Sequence, residues 1–589
     1  MRKIEIIRHS LAHILALAVQ EMYHGVKFGI GPNIENGFYY DFDFSEIKNT
    51  KHKAQNLSSE DLPKIEEKMR ELIKKNLKFE KKEVSINKAK QIFKNQPYKL
   101  DLINSKTDID NKNLFIYKIA EFIDLCKGPH IKSIKEISTD IFKLTKIAGA
   151  YWKGDEKNPM LTRIYGIAFN TKKELDKYLK QQKEAEKRDH RKIGKELDLF
   201  VFSDLVGKGL PLLTPKGTII KEELQKKVEY ICRNHGFQKV STPHLAKIEL
   251  YELSGHAKKF NEELFHVYSE RKHNFAIRPV LCPHHSQIYA SRSRSYKDLP
   301  IRYMESDKMY RAEKPGEIGG LNRVYAITVE DGHSFCEINE VKNEIKTIVN
   351  IIKEFYNSFH LWDKSLVYLS VKDSENPDKY IGEKKDWNWC EKALQEVSDE
   401  MNLKAKRQEG EAALYGPKLD FAFKDAMGKE IQIPTVQVDF ATPKRFGLLY
   451  VNKKGEKEHP VMIHRAILGS YERFLALLIE HFNGALPLWL SPVQIWILPI
   501  SDKNNKYVEK IAKKFQVAGF RFEVRCESET LSKKIRVGEI QKIPYILVVG
   551  NKEERTESVS VRERGKHDIK IMKLDEFIEK IAKNIETRD

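Results

Sequence analysis

Cysteine is scarce and dispersed. The six thiols, Cys126, Cys232, Cys282, Cys336, Cys390 and Cys526, include no close pair in 589 residues, which excludes a disulfide scaffold and a compact zinc finger. Such usage fits a reducing compartment, and a cytoplasmic location is expected. Long apolar runs are missing too. The opening stretch MRKIEIIRHSLAHILALAV is interrupted by His9 and His13 and leads to no small-residue cleavage site, so it reads as a folded helix and not as a signal. The segment LPLWLSPVQIWILPI at 486–500 is cut by Pro487, Pro492 and Pro499 and falls short of the roughly 20 clean residues that a membrane span requires. No acidic excess offsets the basic residues: Lys plus Arg exceed Asp plus Glu by 104 − 85 = 19. A field of that sign attracts polyanions, with nucleic acid the first partner to consider.

What is present is a packed globular composition, 41% hydrophobic and 32% charged with only 21 prolines. At about 100 to 200 residues per domain, the length predicts three to five units. From His9 to residue 187, short strand patterns such as GFYYDFDF alternate with helices, and LPKIEEKMRELIKKN places Leu62, Ile65, Met69 and Leu72 on one helical face. The charged stretch KKELDKYLKQQKEAEKRDHRKIGKELDLF reads as an exposed helical linker, with a boundary near Arg188. Between 188 and 487, NFAIRPVLC, RVYAITVEDGHSF, KLDFAFKD and EIQIPTVQVDF predict a large, mainly antiparallel sheet with helices. From 488 to 589, alternating strand and helix patterns predict a small α/β domain. The expected class is therefore α+β multidomain.

Three separated segments carry the chemistry of the central region. They read FQKVSTPHLAK with Pro243, YRAEKPGEIGGLNR with Arg311, Glu313 and Arg323, and HRAILGSYERF with Arg473. Together they resemble the three signature motifs of the class II aminoacyl-tRNA synthetases. Joining a carboxylate to the α-phosphate of ATP brings two anions together, and fixed guanidinium groups suit that task. The resemblance implies that Arg311 holds the α-phosphate and the amino-acid carboxylate. It further assigns Glu313 to the adenine amino group, and Arg323 and Arg473 to the γ-phosphate side, with Mg2+ neutralising the remaining charge.

The segments RPVLCPHHSQIY, VEDGHSFCE and VMIHRAILGSYERF resemble those that carry the zinc ligands of the threonyl-tRNA synthetase family, here Cys282, His333 and His464. One thiolate and two imidazoles make a plausible zinc set, and three protein ligands leave a fourth position open. The same resemblance implies Asp331 for the substrate amino group, Tyr415, Lys418 and Gln437 for threonine, and Gln432 and Ser470 near the nucleotide. Leu281, Ile327 and Val329 depart from the family, which usually has asparagine, an aromatic and a glutamine there.

His9 and His13 are four apart, which puts both imidazoles on one helical face. Followed by Cys126 and His130 in DLCKGPH, they resemble the editing domain shared by threonyl- and alanyl-tRNA synthetases, with Tyr40, Lys99 and Asp124 as further matches. Ligand chemistry alone would read the four as a second zinc site. The threonyl branch implies instead a metal-free cluster that hydrolyses Ser-tRNA(Thr). The chain starts almost directly at the editing helix, so the ubiquitin-like domain common in bacterial members is expected to be absent, and Met1 favours a natural start.

The last hundred residues resemble the anticodon-binding domain of the class IIa synthetases. Arg536, Glu553 and Arg562 match base-reading positions, and Arg564 reads at least as readily as a phosphate contact. The family implies threonine, ATP and tRNA(Thr) as partners and a homodimer formed around Pro243. A noncatalytic RNA-binding paralogue is the alternative, and an editing hydrolase acting in trans is a further one.

Overall fold

The computed structural model describes residues 2–587 apart from 46, 48–56, 108–113, 271, 272, 315, 425–427, 429 and 567. The chain divides into two compact units, Met1–Lys183 and Glu184–Asp589.

In the first unit the helix Lys3–Met22 opens with the Arg2 N–H donating to Glu5 Oε2 at 2.9 Å, which satisfies one of the donors that a helix start leaves free. Its residues from Leu11 to Val19 are all buried, so this helix is a core element and not a one-sided surface helix. It packs on an antiparallel sheet ordered Lys27–Phe28, Gly37–Asp43, Met160–Ala168, Phe142–Tyr151. The predicted face of the helix Leu62–Lys74 is buried at Leu62, Ile65, Met69 and Leu72. A smaller antiparallel sheet, Glu80–Val84, Leu114–Ile119 and Phe122–Leu125, carries Asp124 and leads directly into Cys126. The charged linker is helical over Lys172–Lys187 and His190–Glu196, with Asp189 capping the second helix.

The second unit is built on an eight-stranded sheet. Its order is Gln238–Lys239, Ile301–Tyr310, Ala326–Cys336, Val461–Ser470, Glu430–Asp439, Lys418–Lys424, Leu366–Val371 and Lys406–Glu409. The six central strands are antiparallel and both edge strands parallel. One face is covered by the helices Val341–Asn357 and Tyr471–Phe482, whose Ile345, Ile348, Ile352, Phe355, Phe474 and Leu478 are buried. The other face holds the cavity described below. The segment NFAIRPVLC departs from the expectation of one large sheet: Asn274–Ile277 joins a separate three-stranded sheet with Leu245–Lys247 and His266–Tyr268.

The C-terminal part is a five-stranded sheet ordered Phe522–Val524, Ile495–Pro499, Tyr545–Val549, Ser558–Glu563, Ile569–Lys573, parallel in its first two pairs and antiparallel after. Helices cover both faces, with Ile511, Phe515, Phe577 and Ile581 buried on one and Trp496, Leu498 and Ile546 on the other. Its last strand, IKIMK, is largely exposed although its sequence alternates apolar and basic residues, with Ile569 and Ile571 both open to solvent. Among the described residues no helix is long and apolar enough to cross a membrane.

Candidate active sites

A cavity of 890 Å³ opens on the uncovered face of the large sheet, within the roughly 300–1,000 Å³ range of small-molecule sites. Arg311, Glu313, Arg323 and Arg473 line one part of it, and Cys282, Asp331, Tyr415, Gln437 and His464 another. The sheet register explains the convergence. His333 and His464 are direct cross-strand partners, and Gln437 faces His464 from the other side.

Arg473 is mostly shielded from water, and burial, followed by the charges of Arg323 and Arg311, lowers its guanidinium below the ordinary value. Three guanidinium groups that repel one another at the cavity wall form a site for an anion. Arg323 pairs with Glu313 at 2.6 Å and with Glu317 at 2.9 Å. Arg473 Nε donates to the Asn322 carbonyl at 3.0 Å, which ties it to the loop that carries Arg323. Ser470 lines the cavity and also acts locally: its hydroxyl accepts from the Arg473 N–H at 3.1 Å as the N-cap of Tyr471–Phe482.

The Cys282, His333 and His464 donor atoms lie within 4.8 Å of one another. His464 Nε2 sits 2.8 Å from Asp439 Oδ2. A carboxylate only accepts, so Nε2 carries the hydrogen and Nδ1 the lone pair. Asp439 is itself held by the N–H groups of Ala441 and Thr442 at 2.7 and 2.8 Å. His333 is fully buried, its Nδ1 lies 2.7 Å from His285 Nδ1, and its Nε2 has no hydrogen-bond partner. Burial, reinforced by Asp331 and Asp439, pushes the Cys282 thiol well above its ordinary value, so a thiolate here requires a cation beside it. An orphaned nitrogen on His333, a buried thiol and a second histidine, His464, backed by the Asp439 carboxylate make a donor set that suits zinc.

Around this centre, loss of solvent raises the Asp331 carboxyl, which accepts from the Gly332 N–H at 2.9 Å. Gln437 Nε2 and Thr435 Oγ1 are buried without a partner and belong to the cavity lining. The Tyr415 ring stacks on His464 at 6.4 Å between centroids. Its hydroxyl donates to the Ser254 carbonyl at 3.1 Å and lies 2.9 Å from His256 Nδ1, so Tyr415 presents a ring and not a free hydroxyl. Lys418 and Gln432 stand apart from the lining. Lys418 pairs with Asp420 at 2.8 Å, and Gln432 is exposed on the strand opposite Ala422, beside a bulge. Val280, Ile327 and Val329 give the cavity an apolar patch.

The first unit assembles the other cluster. Cys126 Sγ lies 3.4 Å from both His9 Nε2 and His130 Nε2, and His13 Nε2 is 3.5 Å from Asp124. His130 stacks on Phe79 at 4.6 Å, and its Nδ1 is 3.2 Å from Ser10 Oγ. Burial holds His9 and His130 below the ordinary imidazole value and His13 well below it, so the imidazoles are neutral near neutral pH. Tyr40, Lys99 and Asp124 form a buried network with the Lys99 ammonium paired to the carboxylate. These four ligand-type residues could hold a metal by distance.

Of the C-terminal matches, Arg536 is exposed and Arg562 half-buried. Glu553 is buried, accepting from the Gly550 N–H at 3.0 Å and the Ser560 hydroxyl at 2.8 Å. Arg564 is no free phosphate ligand: its guanidinium donates to the carbonyls of Lys542, Ala485 and Leu486 at 2.7, 3.2 and 2.7 Å. It thereby pins the strand Ser558–Glu563 to the segment entering the domain. Sequence reasoning missed His285, Asp439, Glu305, Ser10 and Phe79: Ser10 follows His9 and His285 comes three residues after Cys282 without a signal that sets either apart, and the other three lie on separate segments.

Comparison with known proteins agrees with this arrangement. Residues 265–482 match the tRNA synthetase class II core domain (G, H, P, S and T), 494–584 the anticodon binding domain, and 115–165 the threonyl and alanyl tRNA synthetase second additional domain. The threonine–tRNA ligase of Thermotoga petrophila is 42% identical over 586 residues, covering 99% of this chain and 88% of the relative. That of Azobacteroides pseudotrichonymphae is 44% identical over 582 residues, covering 98% and 88%. Among solved structures, the RNA binding domain of threonyl-tRNA synthetase from Cryptosporidium parvum superposes with a TM-score of 0.63 at 32% identity, over 67% of this chain and 98% of that one. With both clusters, all three domains and near-complete coverage by these relatives, the chain belongs to the threonine–tRNA ligase family of class II aminoacyl-tRNA synthetases.

Proposed function

We propose that this chain uses ATP and Mg2+ to form threonyl-adenylate, transfers the threonyl group to tRNA(Thr), and hydrolyses Ser-tRNA(Thr) at its first unit. The observation that carries the reading is the cavity in which Cys282 and His464 meet Arg311, Arg323 and Arg473. The arginines bind the triphosphate and stabilise charge developing at the α-phosphorus as the threonine carboxylate attacks and pyrophosphate leaves. Arg311 orients that carboxylate, and Asp331 receives the amino group. Cys282, His333 and His464 would hold zinc, which when bound would supply Lewis-acid binding of the amine and β-hydroxyl of threonine. Gln437 and the Tyr415 ring bound the side-chain space.

Valine lacks the hydroxyl and leaves polar groups unsatisfied, whereas serine lacks only a methyl, a difference of about 1–3 kcal/mol. Synthesis alone therefore passes serine, and the first unit corrects it. There, water adds to the ester carbonyl, the bond to the terminal ribose breaks, and serine leaves. The neutral imidazoles of His9, His13 and His130 are suited to accept the water proton and return it to the ribose oxygen. The Lys99–Asp124–Tyr40 network orients His13 from behind.

Arg536 and Arg562 contact the anticodon, and Glu553 supports that surface from within. A cytoplasmic homodimer, with the segment around Pro243 at its interface, completes the reading. The chain's intact nucleotide arginines favour an enzyme over a noncatalytic paralogue. The deciding measurement is pyrophosphate exchange into ATP with each amino acid, together with metal analysis of the same sample: exchange that depends on threonine and one bound zinc per chain is expected, and a preference for another amino acid refutes the proposal.

A further inference from the structure

We propose that His285 is a positioning residue for the metal centre: it relays the Glu305 carboxylate to His333 Nδ1 and thereby fixes the tautomer in which His333 Nε2 offers its lone pair to the metal. The inference rests on the metal reading above and adds what holds one ligand in its binding form.

His285 is fully buried, three residues beyond Cys282 on the helix Cys282–Ala290. Its two ring nitrogens face groups of different kinds. Nε2 lies 3.1 Å from Glu305 Oε2, and because a carboxylate accepts only, Nε2 carries hydrogen. A neutral imidazole protonated there keeps a lone pair on Nδ1, which lies 2.7 Å from His333 Nδ1. The hydrogen in that contact therefore belongs to His333, and His333 Nε2 is left as a lone pair. That atom is buried and has no protein partner. The opposite polarity would place a hydrogen on His333 Nε2, a buried donor with nothing to receive it. It would also require a second cation beside Glu305, whose charge Arg278 already meets at 3.2 Å.

Glu305 is fixed in turn. Thr242 donates to it through its N–H at 2.9 Å and its hydroxyl at 2.9 Å. A chain of three hydrogen bonds thus runs from Thr242, beside Pro243, through Glu305 and His285 to His333. Its direction is set at the Glu305 end because only there is every acceptor identity unambiguous. His284, the neighbouring histidine, has both nitrogens buried without partners and takes no part.

Two polar variants separate the two nitrogens. In H285N the amide oxygen takes the place of Nδ1 and still accepts from His333; in H285Q the amide reaches Glu305 and no acceptor faces His333. The measurements on the full chain are zinc affinity by competition with a chromophoric chelator and the visible spectrum after cobalt(II) substitution. H285N, which keeps an acceptor for His333 but loses the Glu305 bond that orients it, is expected to bind zinc more weakly than wild type, and H285Q to lose more, roughly 10–100-fold, with the larger shift of the cobalt bands; wild-type affinity in H285N overturns the part assigned to Glu305. Equal affinity of H285Q and wild type, or equal loss in both variants, overturns the relay. A wild-type chain that takes up no zinc overturns the metal reading and the relay together, which distinguishes the two failures.

Discussion

Tyr40 donates its phenolic hydrogen to Asp124 Oδ2 at 2.7 Å, and Lys99 closes the triangle, 3.1 Å from the phenol oxygen and paired with the other carboxylate oxygen. The Lys99 and Asp124 side chains are 2% and 3% exposed. A buried pair of this kind contributes little relative to an apolar replacement, but removing one member leaves the other charged and unsolvated. Lys99→Met is therefore expected to destabilise the first unit by about 3–5 kcal/mol and to slow Ser-tRNA(Thr) deacylation. The double change K99M/D124N restores part of the stability because it removes the orphaned charge. Hydrogen exchange of peptides from residues 3–183 reads the stability directly, and full protection in K99M would mean the ion pair is not integral to the fold.

The first unit also carries a pH dependence of known sign. Burial lowers His9, His13 and His130 relative to their ordinary value of 6.5. The unfolded chain then binds protons that the folded chain does not, so stability is full above that value and falls as pH drops through it. Each histidine contributes at most about 1.4 kcal/mol per pH unit, and only between its folded value and the ordinary one. Replacing His13 with asparagine should flatten the loss between pH 7 and 5, measured as the change in exchange protection of the same peptides. An unchanged slope would show that His13 titrates normally.

His9 and His13 illustrate what periodicity can reveal: a separation of four places both rings on one face, and the helix buries that face against Asp124 and Cys126. The buried stripe Leu62, Ile65, Met69, Leu72 was legible for the same reason. His333 and His464 were not legible in that way, since they meet through the register of two strands that are 131 positions apart, and only resemblance to a family joined them. His285 was invisible even so. In CPHHS nothing separates it from His284, and the difference lies in Glu305, which a distant strand places within reach of one ring and not the other. Lys418 and Gln432 mark the converse, matching family positions while lying apart from the cavity lining.

The metal reading makes a substrate-specific prediction. Cys282→Ser weakens the only sulfur ligand of the cluster, and the drop in zinc affinity is expected to exceed the roughly 10–100-fold typical of losing an outer partner. Threonine-dependent exchange should fall in parallel. If discrimination against valine rests on the metal, residual activity in the variant should distinguish threonine from valine poorly. Retained selectivity at the same zinc depletion would place the discrimination in Gln437 and Tyr415 instead.

Ser470 and Arg473 allow the nucleotide site to be taken apart. The Ser470 hydroxyl caps the helix by accepting from the Arg473 N–H, whereas the Arg473 guanidinium belongs to the cavity wall beside Arg311 and Arg323. Losing a serine cap costs about 1 kcal/mol, a backbone effect, while losing a group that stabilises developing charge lowers turnover by about 10²–10³. Ser470→Ala should therefore reduce stability with at most a modest rise in KM for ATP, and Ser470→Asp, which also caps, should recover the stability yet weaken ATP binding by placing a carboxylate near the phosphates. Arg473→Ala should do the reverse, leaving stability near wild type, since it removes a cation that burial and two like charges disfavour, and abolishing most threonine activation. If Ser470→Ala instead lowered kcat as far as Arg473→Ala, the serine hydroxyl would have to act on the nucleotide itself and not on the helix that presents the arginine.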